Sequence, residues 1–428
     1  MDVLLAPAAE KITQQSGPEH SPSSIAETGV RASVLEDLAL KTLYLSGPFS
    51  VAELTRQMHI GYEVATQLFD RLRTKLLCEV TGMFGHVPNM AITSMGRTRA
   101  MELLSQSQYS GAAPVSLQSY VEQVRRQSVR NLRVSPEDVE QSFSKYVLDP
   151  KTISQFGTAL NSGEAIFLYG PPGTGKTSAA ETLASVLAKD AVWVPHSIEV
   201  DGQIIVVFDP TVHKRFESAE ELHHDKRWVR CHRPTVIAGG ELTMEMLDLQ
   251  FSSATNYYVG PVQMKANNGT LIIDDFGRQR MTPEELLNRW VVPLDRGIEF
   301  LTLAGGRKIE VPFELLVVFA SNKDPMKLMD PAFLRRIHTK IKIGAVTPPQ
   351  FCEIFRRVAA QHQATVEEQM IYDLIAVIRD ELKEELRACH PRDLVSQVAW
   401  AARYEGKPVE LDRTSLMKAV ESYFLARS

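Results

Sequence analysis

Cysteine is scarce. The 428 residues hold four (Cys78, Cys231, Cys352 and Cys389), with no CxxC pair, which excludes a disulfide framework or a cysteine-based zinc site and fits reduced thiols in the cytoplasm. Long apolar runs are absent too: no stretch approaches the roughly 18 residues of a membrane-spanning helix, so no span is expected. The opening MDVLLAPAAEK has neither a basic start nor a full apolar core, so no secretory signal is expected. Nor is there an excess of positive charge. A net charge of −5 argues against a globally basic nucleic-acid coat. What is present, 44% hydrophobic and 23% charged residues without internal repeats, is the mix of a globular chain long enough for two or three domains.

Residues 1–29, rich in Ser, Pro, Ala, Gln and Glu and without a period, read as a flexible tail. From Arg31, Leu35, Leu38 and Leu45 share a helix face that ends at Gly47-Pro48. Ser50 and Glu53 have capping-box spacing, and Val64, Leu68, Leu72 and Leu76 mark a third helix. Two strand-like runs, CEVTGMF and NMAITS, and a helix from Gly96 complete residues 30–104. Three helices followed by a two-stranded ribbon is the order of a winged helix-turn-helix. SQSQYSGAAP, residues 105–114, reads as a linker. Two helices follow, the second opened by Ser135-Pro136. From about residue 163 strands alternate with helices, predicting an α/β core over 115–345 with a parallel sheet covered on both faces. Residues 346–428 read as all helix, with a capping box expected at Thr365 and Glu368.

The strongest motif is a strand, Ala165 to Tyr169, running into Gly170-Pro171-Pro172-Gly173-Thr174-Gly175-Lys176-Thr177-Ser178 and then an alanine-rich helix. This is GxxxxGK(S/T) in the flanks it needs. Glycines let backbone N–H groups turn toward phosphate oxygens, and the helix N-terminus adds a positive dipole end. Lys176 is expected to reach the β- and γ-phosphates of ATP, and Thr177 to hold Mg2+. The motif needs a second strand ending in an acid. Leu271-Ile272-Ile273-Asp274-Asp275 provides it, with Asp274 on the metal side and Asp275 polarising the attacking water.

With these residues the chain resembles the AAA+ ATPases over roughly 115–428. The resemblance implies further roles. Leu315 to Ala320 with Ser321-Asn322 matches the sensor-1 strand, so Asn322 orients the water. Asp330-Pro331-Ala332-Phe333-Leu334-Arg335-Arg336 is similar to the segment bearing the arginine finger, supplied by Arg335 or, as the favoured choice, Arg336. His390-Pro391-Arg392-Asp393-Leu394 looks like sensor 2, with Arg392 facing the phosphates. Cations supplied in trans neutralise the transferring phosphoryl group and couple hydrolysis to assembly, so a ring is implied, a hexamer by preference. The hairpin EFLTLAGGRKIEV and the entry KANNGTLIIDD resemble the MoxR-like, presensor-1 branch. A second hairpin is expected in SIEVDGQIIVVF at Asp201-Gly202. With the winged-helix N-domain and the long insertion before Asp274, the chain looks most like bacterial chaperone-like ATPases associated with Flp pilus assembly. The usual Asp-Glu pair is Asp274-Asp275 here. A carboxylate about 1.5 Å shorter in reach implies slow hydrolysis.

Three weaker signals have two readings each. Tyr258-Val259-Gly260 is either a pore loop gripping polypeptide or a structural entry into the strand before Asp274. The N-domain is either a DNA reader, with a local excess of cations (Arg56, Arg71, Arg73, Lys75, Arg97, Arg99), or a docking module. His213, His223, His224 and His232 are either metal ligands or a solvated segment, the second being preferred. The expected function is ATP-driven remodelling of a protein partner, with secretion or pilus assembly as the setting that the resemblance implies. The alternatives are a DNA loader or translocase and a slow ATP-gated scaffold.

Overall fold

A computed structural model describes residues 18, 20–84, 87–217 and 224–424. At the N-terminus three helices, Ala32–Ser46, Val51–Met58 and Tyr62–Thr74, precede an antiparallel ribbon of Cys78–Phe84 and Val87–Ile92 and a helix Ser94–Gln106. Phe49–Ser50 adds a short third strand beside Val87–Ile92. Ser50 caps its helix by accepting from the Glu53 N–H, worth about 1 kcal/mol. The Glu53 carboxylate turns away to Arg56 and Gln57, so only half of the expected box forms. The last helix begins at Ser94, ahead of the expected Gly96, because Thr93 caps it. Gly96 is needed there for space, since a Cβ would sit 1.9 Å from the Leu77 carbonyl oxygen.

Two boundaries differ from expectation. The tail does not run to residue 29: Ile25, Thr28 and Val30 are buried, the two apolar ones within the N-terminal core. The linker is not loose either. Ala113 is fully buried, and the Tyr109 hydroxyl donates to the Ala112 carbonyl (2.7 Å) and lies 2.9 Å from Ser197 Oγ. Small and polar residues here fill the seam between two packed units, which composition alone cannot distinguish from a tether.

The central sheet has five parallel strands: β1 (Ile166–Tyr169), β2 (Thr235–Ala238), β3 (Thr270–Ile273), β4 (Leu316–Ser321) and β5 (Thr339–Lys342), in the order β2-β3-β4-β1-β5. Alternate residues point to opposite faces. Phe167, Leu271, Ile273 and Phe319 pack with Trp290 on one side; Ile166, Leu168, Ile272 and Val318 meet the helix Lys176–Leu187 on the other. Both faces are covered, which is why these strands read as continuous apolar runs.

Four strands between β1 and β3 join Val115–Ser116, which precedes β1, in a second five-stranded sheet, in the order Gln250–Ser252, Tyr257–Val259, Gln203–Val206, Ser197–Val200 and Val115–Ser116; a ribbon pairs Ala191–Pro195 with Trp228–His232. The hairpin at Asp201-Gly202 turns as expected, with both residues at positive φ (53° and 84°), the twist that two-residue loops need. The hairpin expected in EFLTLAGGRKIEV pairs Ile298–Thr302 with Lys308–Pro312.

The C-terminal part holds helices Pro348–Gln361, Glu368–Ala376, Cys389–Glu405 and Arg413–Tyr423. The capping box expected at Thr365 is absent. The helix starts at Glu368 with Glu367 as its cap, so Glu368 is the first helical residue rather than the third. The box forms instead at Thr347 and Gln350. No helix among the described residues is long and apolar enough to cross a membrane.

Candidate nucleotide site

β1 ends in a loop that demands glycine. Gly170 (φ 149°) passes so near Ile343 that a Cβ would lie 2.0 Å from its carbonyl oxygen, and Gly173 and Gly175 have φ of 75° and 94°. The loop delivers its backbone to the N-terminus of the helix Lys176–Leu187. Lys176 is buried, and its Nζ donates to the loop's own Pro171 carbonyl at 2.8 Å. Burial lowers its pKa, while Asp275 and then Asp274 act to raise it. Thr174 also donates to Pro171 (3.0 Å). Ser178 lines the cavity described below beside Thr177.

At the end of β3, Asp274 lies opposite Thr177, whose Oγ1 donates to its carboxylate at 3.0 and 3.1 Å. Asp275 follows with φ 48°, left-handed and strained for a non-glycine residue. The strain is held by two hydrogen bonds. The Asp275 N–H donates to Asp274 Oδ1 (3.0 Å), and Asn322 Nδ2, from the end of β4, donates to Asp275 Oδ1 (2.9 Å). Gln279, which no sequence signal marked, donates to the Asp274 carbonyl at 2.8 Å and braces this turn.

A hydroxyl and a carboxylate facing one another are hard oxygen donors of the kind Mg2+ prefers. Thr177 and Asp274 therefore fit that ion. Beside the loop lies a cavity of about 400 Å³, walled on the core side by Tyr146, Val147 and Leu148 and on the helical side by Ile354, Val358 and Arg392. Its apolar end has the character of a base-binding pocket. No spacing could have revealed it, because its walls come from two segments far apart in the chain. Arg357 ties the two sides by donating to the Ser144 carbonyl at 2.9 Å. Cys389 joins them at the loop: its N–H donates to the Gly173 carbonyl (3.0 Å), and its sulfur lies 2.4 Å from where a Gly173 Cβ would be.

Three cations were expected near the phosphates. Arg392 does line the cavity and pairs with Asp393 at 3.0 Å; Asp393 also accepts from Tyr423 (3.0 Å), a residue no motif indicated. Arg336 is held by Asp295, its Nε 3.0 Å from both carboxylate oxygens. Arg335 is exposed and has no partner among the described residues. Neither Arg335 nor Arg336 lines this chain's own cavity.

The weaker signals resolve as follows. Tyr258 is buried and its hydroxyl accepts from the Ala304 N–H (2.7 Å), so it is part of the insertion's core and unavailable to grip a polypeptide. His213 is buried with both ring nitrogens engaged, to Asp209 N and the Lys265 carbonyl, which overturns the solvated reading for that residue. His223 lies outside the described residues.

The five-stranded order, the glycine loop and the paired acids define a P-loop nucleotide-binding fold of the AAA+ kind. Residues 166–237 match the family model "ATPase family associated with various cellular activities (AAA)", and residues 347–422 match a domain of unknown function (DUF8689). Comparison with curated proteins finds no match. Among solved structures, the Thermotoga maritima RuvB Holliday junction branch migration motor is 14% identical, with a TM-score of 0.38 over 69% of this chain and 73% of that one. NtrX from Brucella abortus in complex with ATP is 13% identical, with a TM-score of 0.40 over 65% of this chain and 55% of that one. Likeness this remote carries no information about activity or partner.

Proposed function

We propose that the protein binds ATP with Mg2+ and hydrolyses it at the subunit interfaces of a ring, a hexamer by preference, to remodel a protein partner in the cytoplasm. The observation that carries this reading is the convergence of Thr177 on Asp274 and of Asn322 on Asp275 beside the glycine loop. Lys176 exchanges its Pro171 carbonyl partner for the β- and γ-phosphates. Asp275 polarises the attacking water while Asn322 fixes the direction of its carboxylate. Mg2+, held by Thr177 and Asp274, neutralises charge on the phosphate oxygens when bound. Arg392 faces the phosphates from the lid. Of the two adjacent arginines, Arg335 is the better finger, because Arg336 is already spent on Asp295.

A protein partner is preferred over DNA for a specific reason. All six cations between Arg56 and Arg99 are engaged: Arg71 and Lys75 with Glu36, Arg56 with Glu53, Arg73 with Asp70, Arg99 with Glu102, and Arg97 over the Tyr44 ring. A winged-helix docking module fits that surface better than a phosphate-tracking one, and a partner in secretion or pilus assembly agrees with the chain's resemblance. The short reach of Asp275 supports slow turnover, as in a nucleotide-gated switch. ATP turnover and particle size measured together with and without nucleotide test the reading. Wild type should enlarge with ATP and turn it over, and Lys176→Ala should do neither. Absence of ATP binding by calorimetry on folded protein would sink it.

A further inference from the structure

A second cavity, of about 480 Å³, opens between the N-terminal domain and the insertion. On one side stands His59, in the left-handed turn (φ 55°) after the helix Val51–Met58. On the other stand His196, Arg215, Lys226 and Arg230. The His59 and His196 rings lie 4.6 Å apart, and the Arg230 guanidinium sits over the Phe216 ring at 4.8 Å. His59 Nδ1 lies 3.2 Å from the Lys226 carbonyl oxygen. The seam beneath is rigid: Arg227 is buried, paired with Asp225, and donates to the Thr28 and Pro114 carbonyls at 3.0 and 3.1 Å.

Among the described residues, positive charge predominates on the wall of this cleft. Among the described residues no carboxylate lies within ion-pair distance of Arg215, Lys226 or Arg230, and Glu217 is the one described acid on the wall. Cations gathered in a concave, partly desolvated space repel one another and concentrate a positive field. Burial lowers the pKa of both imidazoles, His196 to about 4, and Arg215 pushes each the same way. An anion in the cleft offsets the repulsion among these cations. Two guanidinium groups and an ammonium match an oxyanion of charge two or more, and arginine forks suit phosphoryl oxygens. The cleft has the size of a small-molecule site.

We propose that this cleft binds a small phosphate-bearing anion, a phosphomonoester or diphosphate, which clamps the N-terminal domain to the insertion. The site is separate from the glycine loop and shares no residue with it. His224, stacked on Trp193, and Glu217 are the other titratable groups on the wall.

The test is pyrophosphate titration of the full chain with the glycine loop saturated by ADP, read on the His59 and His196 imidazole NMR signals, each assigned by a His→Asn variant. The expected result is a saturable shift of both signals. It should weaken by about tenfold or more in the Arg215→Ser/Arg230→Ser double variant, given charge-assisted contacts of ordinary strength, and stay unchanged in Lys214→Ser. If the double variant does not fold, the exposed Lys226→Ser carries the same expectation. Three results overturn the proposal: no shift at millimolar pyrophosphate, an equal shift in the charge variants, or a shift by single-stranded oligonucleotide that pyrophosphate neither reproduces nor competes.

Discussion

Arg336 and Asp295 form an ion pair in which one guanidinium nitrogen lies 3.0 Å from both carboxylate oxygens. This pair separates two neighbouring arginines that the sequence presents as equivalent. Arg336 also donates to the Ala332 carbonyl and lies over the Phe333 ring, so it is a brace for its own short helix. Arg335 is left pointing outward.

Arg335→Ala should therefore lower ATP turnover by about a thousandfold, the scale of an arginine finger, and leave the melting temperature unchanged. Mixing it with Lys176→Ala should restore part of the activity, since each variant supplies what the other lacks. Arg336→Ala should act mainly on stability. Turnover and thermal melts of both variants check the assignment, and the reverse pattern would return the finger to Arg336.

The proposed mechanism assigns the chemical step to Asp275. Asp275→Asn should lower turnover by about a hundredfold, the usual contribution of a positioned base, with ATP affinity retained. Asp275→Glu should raise turnover, because the side chain reaches about 1.5 Å further. A single-turnover measurement separates this effect from product release. No gain with glutamate would mean that slowness arises elsewhere.

Gly173 is the contact point between loop and lid. A Cβ there meets Cys389 sulfur at 2.4 Å, and the φ of 75° is itself unfavourable for alanine. Gly173→Ala should weaken ATP binding by about tenfold or more, an energy of roughly 1.4 kcal/mol. Calorimetric titration gives the number. Cys389→Ala in the same chain should recover part of the loss, since it removes the clash but not the backbone strain.

Glu299 supplies a pH dependence. It is 1% exposed, and burial raises its pKa from 4.5 to about 7, despite Arg289 at 2.9 Å and a hydrogen bond from Gln263. Burial wins because Arg289 is shared with Asp248 and Glu299 Oε1 has no aligned hydrogen bond. The folded state thus keeps a proton that the unfolded chain has released. Stability is greatest below about pH 4.5 as far as this group is concerned, and it falls as pH rises toward about 7. Glu299→Gln should remove that slope, which is at most about 1.4 kcal/mol per pH unit. Denaturation at several pH values measures it.

Much of the site was legible because its signals are local. A glycine loop between a strand and a helix, an acid pair ending β3 and an asparagine ending β4 are contiguous runs whose spacing reflects backbone geometry. Gln279, Tyr423 and the apolar end of the nucleotide cavity left no such trace. Each acts across elements distant in the chain, and a lone glutamine or tyrosine has no period to betray it. The tail and the linker were misjudged because small and polar residues compose both loose tethers and tightly packed seams.

The chain's order of residues alone determined the phosphate loop, the two acids and the alternation of strands with helices, because each follows from hydrogen bonding and side-chain periodicity within a dozen or so residues. Only the tertiary structure decided which of Arg335 and Arg336 is free, that Tyr258 is buried, and that cations of the insertion face one cleft with a histidine of the N-terminal domain. Those outcomes turn on which charges find partners across space, and partners are chosen by packing.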